Sequence, residues 1–206
     1  MNERFLQGSA DSGARFVVQR GLPDGRAHAA AELYWEAFGR KLGLALGPKE
    51  RGVAFIAGHL NADRAVAVLS GEQLIGVAGF HHQSRGFVGG ELRDLLAGYG
   101  RLSGLVRGVL LAVLERRERP GELLMDGIAV DADHRSKGVG RLLLREIAAV
   151  ARELGDNTIR LDVVDTNPRA RQLYEREGFV ATGTHRLPLP RRVMGFSAAT
   201  TMELQV

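Results

Sequence analysis

Apolar positions along this chain alternate with polar ones in some stretches and recur at helical spacing in others, and the switches mark element boundaries. Ala14 to Arg20 reads as a strand stopped by the turn residues Gly21 to Gly25. From His28 to Arg40, Ala31, Tyr34, Trp35 and Phe38 share one helical face. Pro48 opens a second helix predicted to run to about Leu60. Two apolar strands, Ala65 to Ser70 and Gln73 to Phe80, flank Gly71-Glu72, a hairpin signal. Later come a strand over Leu123 to Val130, a helix over Gly138 to Leu154 and a strand over Thr158 to Val164 with Arg160 and Asp162 on one face. A helix over Pro168 to Glu177 and strands over Phe179 to Thr184 and Ala198 to Gln205 complete the pattern.

The predicted order is β-α-α-β-β-(insert)-β-α-β-α-β-β. That is one α/β domain over residues 14–206 with a mixed sheet, preceded by a flexible tail at 1–13. Strands separated by helices are expected to run parallel, and strands joined by short turns antiparallel. The insert, about residues 83–121, carries a helix in which Leu102, Leu105, Val106, Val109, Leu110, Val113 and Leu114 keep the helical spacing. Packing on its own domain, a homodimer interface, a pocket wall and a membrane-surface helix are the open readings of that stripe.

Composition narrows the class. A chain of 206 residues with 45% hydrophobic and 25% charged side chains builds one ordinary globular core. No apolar run approaches the roughly 18 residues of a membrane span, and MNERFLQGSADSG lacks the basic-then-apolar order of a secretory leader. A cytoplasmic location is therefore expected. The absence of cysteine excludes disulfides, thiolate metal sites and a cysteine nucleophile, and no metal is expected. The net charge of +4 comes from scattered arginines rather than a basic patch interleaved with aromatics, which are only 6% of residues, so no nucleic-acid partner is expected.

The chemistry concentrates where the strand ending at Val130 meets the helix beginning at Gly138. Between them lies Arg135-Ser136-Lys137-Gly138-Val139-Gly140. Such a turn presents backbone N–H groups unused by the helix, its glycines let a ligand approach, and the helix dipole favours negative charge. A phosphate or pyrophosphate is the expected ligand. The G-x-x-x-x-G-K-[ST] pattern is absent, and Leu143 stands where a Rossmann third glycine belongs.

R-x-x-G-x-G after a strand resembles the acetyl-coenzyme A signature of the GCN5-related N-acetyltransferase (GNAT) family, [QR]-x-x-G-x-[GA]. Downstream, Asn167-Pro168-Arg169-Ala170-Arg171-Gln172-Leu173-Tyr174, followed by Gly178-Phe179, is similar to that family's N-x-x-A-x-x-L-Y-x-x-x-G-F helix. The resemblance covers roughly residues 14–206, with an insert longer than the family's usual connection. It implies a GNAT-like sheet whose fourth and fifth strands splay, leaving amides near Ile128 and Val130 to pair with the pantetheine arm. The Val130 amide would also stabilise the oxyanion. It further implies that backbone N–H groups from Ser136, Lys137, Gly138, Val139, Gly140 and Arg141 hold the pyrophosphate, with Arg135, Arg141 and Lys137 as charge partners. Asn167 is read both as a helix N-cap and as a contact to the cofactor arm. Tyr174 takes the family's place for the acid that protonates the leaving thiolate; the bland reading is an aromatic packed on the sheet.

The implied function is transfer of acetyl from acetyl-coenzyme A to a primary amine, on a small molecule or a peptide, by direct attack in a ternary complex. Asp126 is the slightly favoured base, and alternation puts it on the same face as Ile128 and Val130. A carboxylate near pKa 4 is a poor base unless desolvated. His81 and His82 are alternatives with better intrinsic basicity, and His134 reads as a solvated loop residue. Arg186, Arg191 and Arg192, around Pro188 and Pro190, are either solvated loop arginines or the rim of an entrance for an anionic acceptor. The other class of function is a non-catalytic acyl-coenzyme A-binding module that presents the insert helix to a partner.

Overall fold

A computed structural model describes residues 3–4, 16–114, 118–186 and 195–206, with backbone alone at 3–4, 41 and 109–114. Eight strands form one sheet: β1 (Glu3–Arg4), β2 (Phe16–Arg20), β3 (Ala65–Ser70), β4 (Gln73–His81), β5 (Glu122–Val130), β6 (Thr158–Val164), β7 (Val180–Arg186) and β8 (Ala198–Gln205). Their spatial order is β1-β2-β3-β4-β5-β6-β8-β7. The helices are α1 (Ala27–Leu46), α2 (Lys49–Gly58), α3 (Leu92–Tyr99), α4 (Arg101–Leu114), α5 (Val139–Leu154) and α6 (Pro168–Arg176). Among the described residues no helix is long and apolar enough to cross a membrane.

The expected mixed sheet is present, and the rule that helices separate parallel strands holds at two of four places: β6 and β7, joined through α6, run the same way on either side of antiparallel β8. β5 and β6 likewise pair in parallel across the single helix α5. β2–β3 and β4–β5 are antiparallel although helices intervene. Each of those connections contains two helices, and two passes return the chain to the end it left. Near the N-terminus, Glu3 and Arg4 pair with Gln19 and Val18 on the open edge of β2. Two residues are too few for an alternating pattern to announce them.

Alternation along the central strands divides the core between two faces. Phe16, Val18, Val66, Val68, Ile75, Ala78 and Phe80 pack with α5 and with Tyr174 of α6. Ala65, Ala67, Leu74, Val77 and Ala129 pack with Ala30 and Leu33 of α1. On α5, Leu143 and Ile147 are fully buried, each worth roughly 1.5–3 kcal/mol of transfer free energy. Glu146 of the same helix is also buried, and it is held by Arg20 of β2 at 2.6 Å. The α5 axis is thus pinned to the sheet by packing and by a charged bond, which fixes where its N-terminus points.

The insert holds two helices where the pattern predicts one. α3 was hidden because it is only eight residues long, yet it carries a reciprocal cap in which Glu91 and Asp94 each accept from the other's backbone amide. Gly104 lets α4 lie against α3, for a Cβ there would stand 2.7 Å from the Leu95 carbonyl oxygen. Leu102, Leu105 and Val106 of the apolar stripe are exposed. Among the described side chains of α4, Arg107 reaches the domain, its guanidinium donating to the Ala45 carbonyl at 2.7 Å while lying over the Tyr99 ring of α3. The side chains of Val109, Leu110, Val113 and Leu114 lie outside the described residues.

Candidate active site

β5 and β6 stay together only at their beginnings. Glu122, Leu123 and Leu124 pair with Thr158, Ile159 and Arg160, and no pairing follows. The two strands then diverge into a cleft of about 860 Å³ walled by both, by the turn before α5, by α6 and by one side of α1. This is the splay that the resemblance implies. The backbone of β5 can be oriented from its neighbours. The Asp131 amide donates to Ile75 of β4 at 2.9 Å, so by antiparallel alternation the Ile128 and Val130 amides face away from β4. The Arg135 guanidinium donates to the Val130 carbonyl at 3.1 Å on that same open side. The Ile128 and Val130 amides therefore face the cleft, which both residues line.

At one end of the cleft the chain turns tightly into α5. Ser136 and Gly138 take left-handed backbone conformations, φ 63° and 85°, and the first helical bond runs from the Leu142 amide to the Gly138 carbonyl. The amides of Val139, Gly140 and Arg141 accordingly have no intrahelical acceptor and project from the positive end of the helix. Gly140 also lets α6 approach, since a Cβ there would stand 2.8 Å from Leu173 Cδ2. Arg135, Ser136, Gly138, Gly140 and Arg141 line the cleft. The Lys137 side chain is exposed and not part of the lining, and Val139 turns its side chain into the core. Arg141 bonds Glu177 at 2.6 Å. Arg169 also lines the cleft and donates to the Ser136 hydroxyl at 3.1 Å. Its position is a variable one in the downstream motif, and only the folded geometry brings it to the turn.

The approach to this turn is stapled by Asp131. Its carboxylate accepts from the Asp133 amide at 3.1 Å and contacts His134 Nδ1 at 2.7 Å. His134 is not a solvated loop residue. It is 19% exposed and sits edge-on to Phe16. The bond from His134, ahead of the opposing cost of burial, holds the Asp131 carboxyl below the ordinary carboxylate range. Stability from Asp131 is therefore present above that range and lost as pH falls through the lowered native value. Asp131→Ala should cost about 1 kcal/mol at pH 7 in urea unfolding, with the gap to wild type closing towards pH 3. An equal gap at both pH values would show that the carboxylate charge plays no part.

α6 forms the facing wall. Asn167 caps it by accepting from the Ala170 amide at 3.1 Å, with Pro168 at the first helical position. Asn167 and Tyr174 both line the cleft. Tyr174 is 6% exposed, packed in the core beside the Phe179 ring. The capping and packing readings of these residues are thus satisfied by side chains that also face the cleft.

Asp126 departs from simple alternation. β4 and β5 register Gly79 with Gly127 but Phe80 with Met125, so Asp126 is the extra residue of a bulge. Met125 packs on the α5 face with Ile128 and Val130, whereas Asp126 turns towards the α1 face. There its carboxylate meets His81 Nε2 at 2.7 Å and accepts from the Phe87 amide at 3.3 Å. Asp126 still lines the cleft, from the side opposite to the one alternation predicts. The following Gly127 has φ 147°, and a Cβ there would overlap Phe38 of α1, 2.4 Å from Cζ. His82 pairs with Asp156 at 3.3 Å.

Away from the phosphate turn, Glu36, Phe38 and Arg40 of α1, Asp162 of β6 and Phe196 line the cleft. The sequence marks Phe38 only as part of an apolar helical face and Asp162 only as a strand position, and none of the five carries a local signal for the site. Arg186 is exposed at the end of β7 and takes no part in the lining. Arg191, Arg192, Pro188 and Pro190 lie outside the described residues.

Comparison with known proteins gives the family and the fold. A stretch of this chain is 41% identical over 61 residues to a streptothricin acetyltransferase of Streptomyces lavendulae, covering 30% of this chain and 32% of that protein. The fold matches the ribosomal-protein-S18-alanine N-acetyltransferase of Escherichia coli with a TM-score of 0.57 at 18% identity, over 93% of this chain and 94% of that one. It also matches yncA of Salmonella typhimurium, solved with its cofactor acetyl-CoA, with a TM-score of 0.55 at 15% identity, over 92% and 93% of the two chains. The model of the acetyltransferase (GNAT) family matches residues 27–179, which hold four of the eight strands and both motif helices, and the chain belongs to that family.

Proposed function

We propose that this protein transfers the acetyl group of acetyl-coenzyme A to a primary amine by direct attack within a ternary complex. One observation carries the reading: a single cleft runs from the amide-rich turn at α5, along the open edge of β5, to Tyr174. Its parts match the parts of the donor in order. The pyrophosphate takes the amides of the first turn of α5, with Arg135 and Arg169 as charge partners. The pantetheine arm pairs with the Ile128 and Val130 edge as an added strand. The thioester carbonyl then meets the Val130 amide, which stabilises the tetrahedral oxyanion. The amine enters from the α1 end, its nitrogen bonds to the carbonyl carbon, and its proton passes to Asp126. Collapse breaks the carbon–sulfur bond, and the Tyr174 phenol protonates the departing thiolate. The absence of cysteine favours this route over an acyl-enzyme.

Calorimetric titration with acetyl-coenzyme A, followed by thiol release against a panel of amines, tests the reading. The expected result is stoichiometric binding and release with one class of amine. Binding with no release from any amine would favour a non-catalytic acyl-coenzyme A module, and no binding would overturn the assignment of the cleft.

A further inference from the structure

Asp126 and His81 read from the sequence as competing bases, yet the fold joins them. β4 ends on His81, and the β5 bulge turns Asp126 towards it, so that Nε2 and Oδ1 stand 2.7 Å apart. The other ring nitrogen, Nδ1, lies 3.8 Å from Glu118 Oε1. That oxygen is buried and, among the described residues, has no hydrogen-bond partner. Glu118 is itself anchored through its second oxygen, which accepts from the Ser84 amide at 3.1 Å. The His81 ring is seated against Gly86, where a Cβ would stand 2.3 Å from Cε1 and Nε2. Three titratable groups thus form a file leading away from the cleft at the end of β4, and only Asp126 among them lines the cleft.

We infer that His81 is a positioning residue for Asp126, and that its protonation state sets when Asp126 can take the acceptor's proton. This rests on the transferase reading above. With Nε2–H donating to Oδ1 and Phe87 N–H to Oδ2, the carboxylate is held in one orientation. When the ring also carries a proton at Nδ1, the imidazolium cancels the Asp126 charge and weakens it as a base. Loss of the Nδ1 proton leaves a neutral ring that still orients Asp126, whose full charge then draws the proton. In the step itself an N–H bond of the acceptor breaks and an O–H bond forms on Asp126. Imidazole is the one side chain whose unperturbed ionisation lies between pH 5 and 8. Glu118 faces the ring from the lead into β5, and Arg85 lies one residue before Gly86 but pairs with Asp63. Glu36 and Arg40 of α1 and Asp162 of β6 line the same cleft as Asp126.

The test compares the pH dependence of kcat in the wild type, His81→Gln and Gly86→Ala with one acceptor, so that the acceptor's own ionisation is common to all three. Gln keeps an N–H donor for Asp126 and does not titrate. His81→Gln should lower kcat about tenfold and remove the acid limb near neutrality, with affinity for acetyl-coenzyme A unmoved. Gly86→Ala, which displaces the ring without changing either partner, should lower kcat and shift the same limb. An unaltered limb in His81→Gln would overturn the inference. A second measurement does not depend on turnover: the His81 ring is titrated by NMR in the wild type, Asp126→Asn and Glu118→Gln. Ring titration moving to lower pH in both variants supports the coupled file, and ring titration indifferent to Asp126→Asn refutes it, even in a protein that releases no thiol.

Discussion

Replacement of Tyr174 by Phe is expected to lower kcat about 10²-fold or more, the scale of losing a positioned general acid, while the affinity for acetyl-coenzyme A stays within about twofold. The asymmetry follows from where the residue sits. Its ring belongs to the core beside Phe179, and Phe keeps that packing. The hydroxyl is what the substitution removes, at a cost near 1 kcal/mol of stability, which a thermal melt can check. In the proposed reaction the phenol acts only after the carbon–sulfur bond begins to break, so ground-state binding does not sense it. Phenol and thiol ionise within about two units of each other, which makes the transfer feasible in either direction. Turnover equal to wild type across the pH range would show that the thiolate leaves unprotonated or takes its proton from water. Equal losses in kcat and in affinity would mean that Tyr174 shapes the arm's binding site instead.

The parts of this site that the sequence exposes are the parts that local rules govern. The turn at 135–140 is legible because glycine spacing and helix-terminus electrostatics act over a few residues. Asn167, Pro168 and Tyr174 are legible because a cap and an apolar face define α6 from within. The orientation of Asp126 was not legible, because it depends on one unpaired residue opposite Gly79 and Phe80, and a bulge leaves no periodic trace of its own. Phe38 and Arg169 escaped for a related reason. Phe38 reads as one more member of an apolar helical face and Arg169 as a variable position of its motif, and each reaches the cleft only through long-range packing: Phe38 over Gly127, Arg169 against Ser136. The antiparallel run of β4 and β5 was misjudged because a two-helix connection and a one-helix crossover look alike until the second helix is recognised.

Gly138→Glu should weaken acetyl-coenzyme A binding more than 100-fold, a loss above about 2.7 kcal/mol. The substitution has two effects, and they can be separated. Gly138 has φ 85°, so any L side chain there carries a left-handed backbone cost of roughly 1–2 kcal/mol. A Cβ at this position meets no protein atom within 4 Å, so the added bulk falls where the ligand approaches rather than on a neighbouring wall. Glutamate further brings a negative charge to the amides of Val139, Gly140 and Arg141, where it competes for the positive end of α5 and repels the pyrophosphate. Gly138→Ala carries the backbone cost without the charge and should weaken binding by no more than about tenfold. Thermal melts of both variants check that each is folded before titration. Equal losses in Ala and Glu would assign the effect to backbone geometry alone. Wild-type affinity in the Glu variant would remove the phosphate from this turn and, with it, the direction in which the donor lies along the cleft.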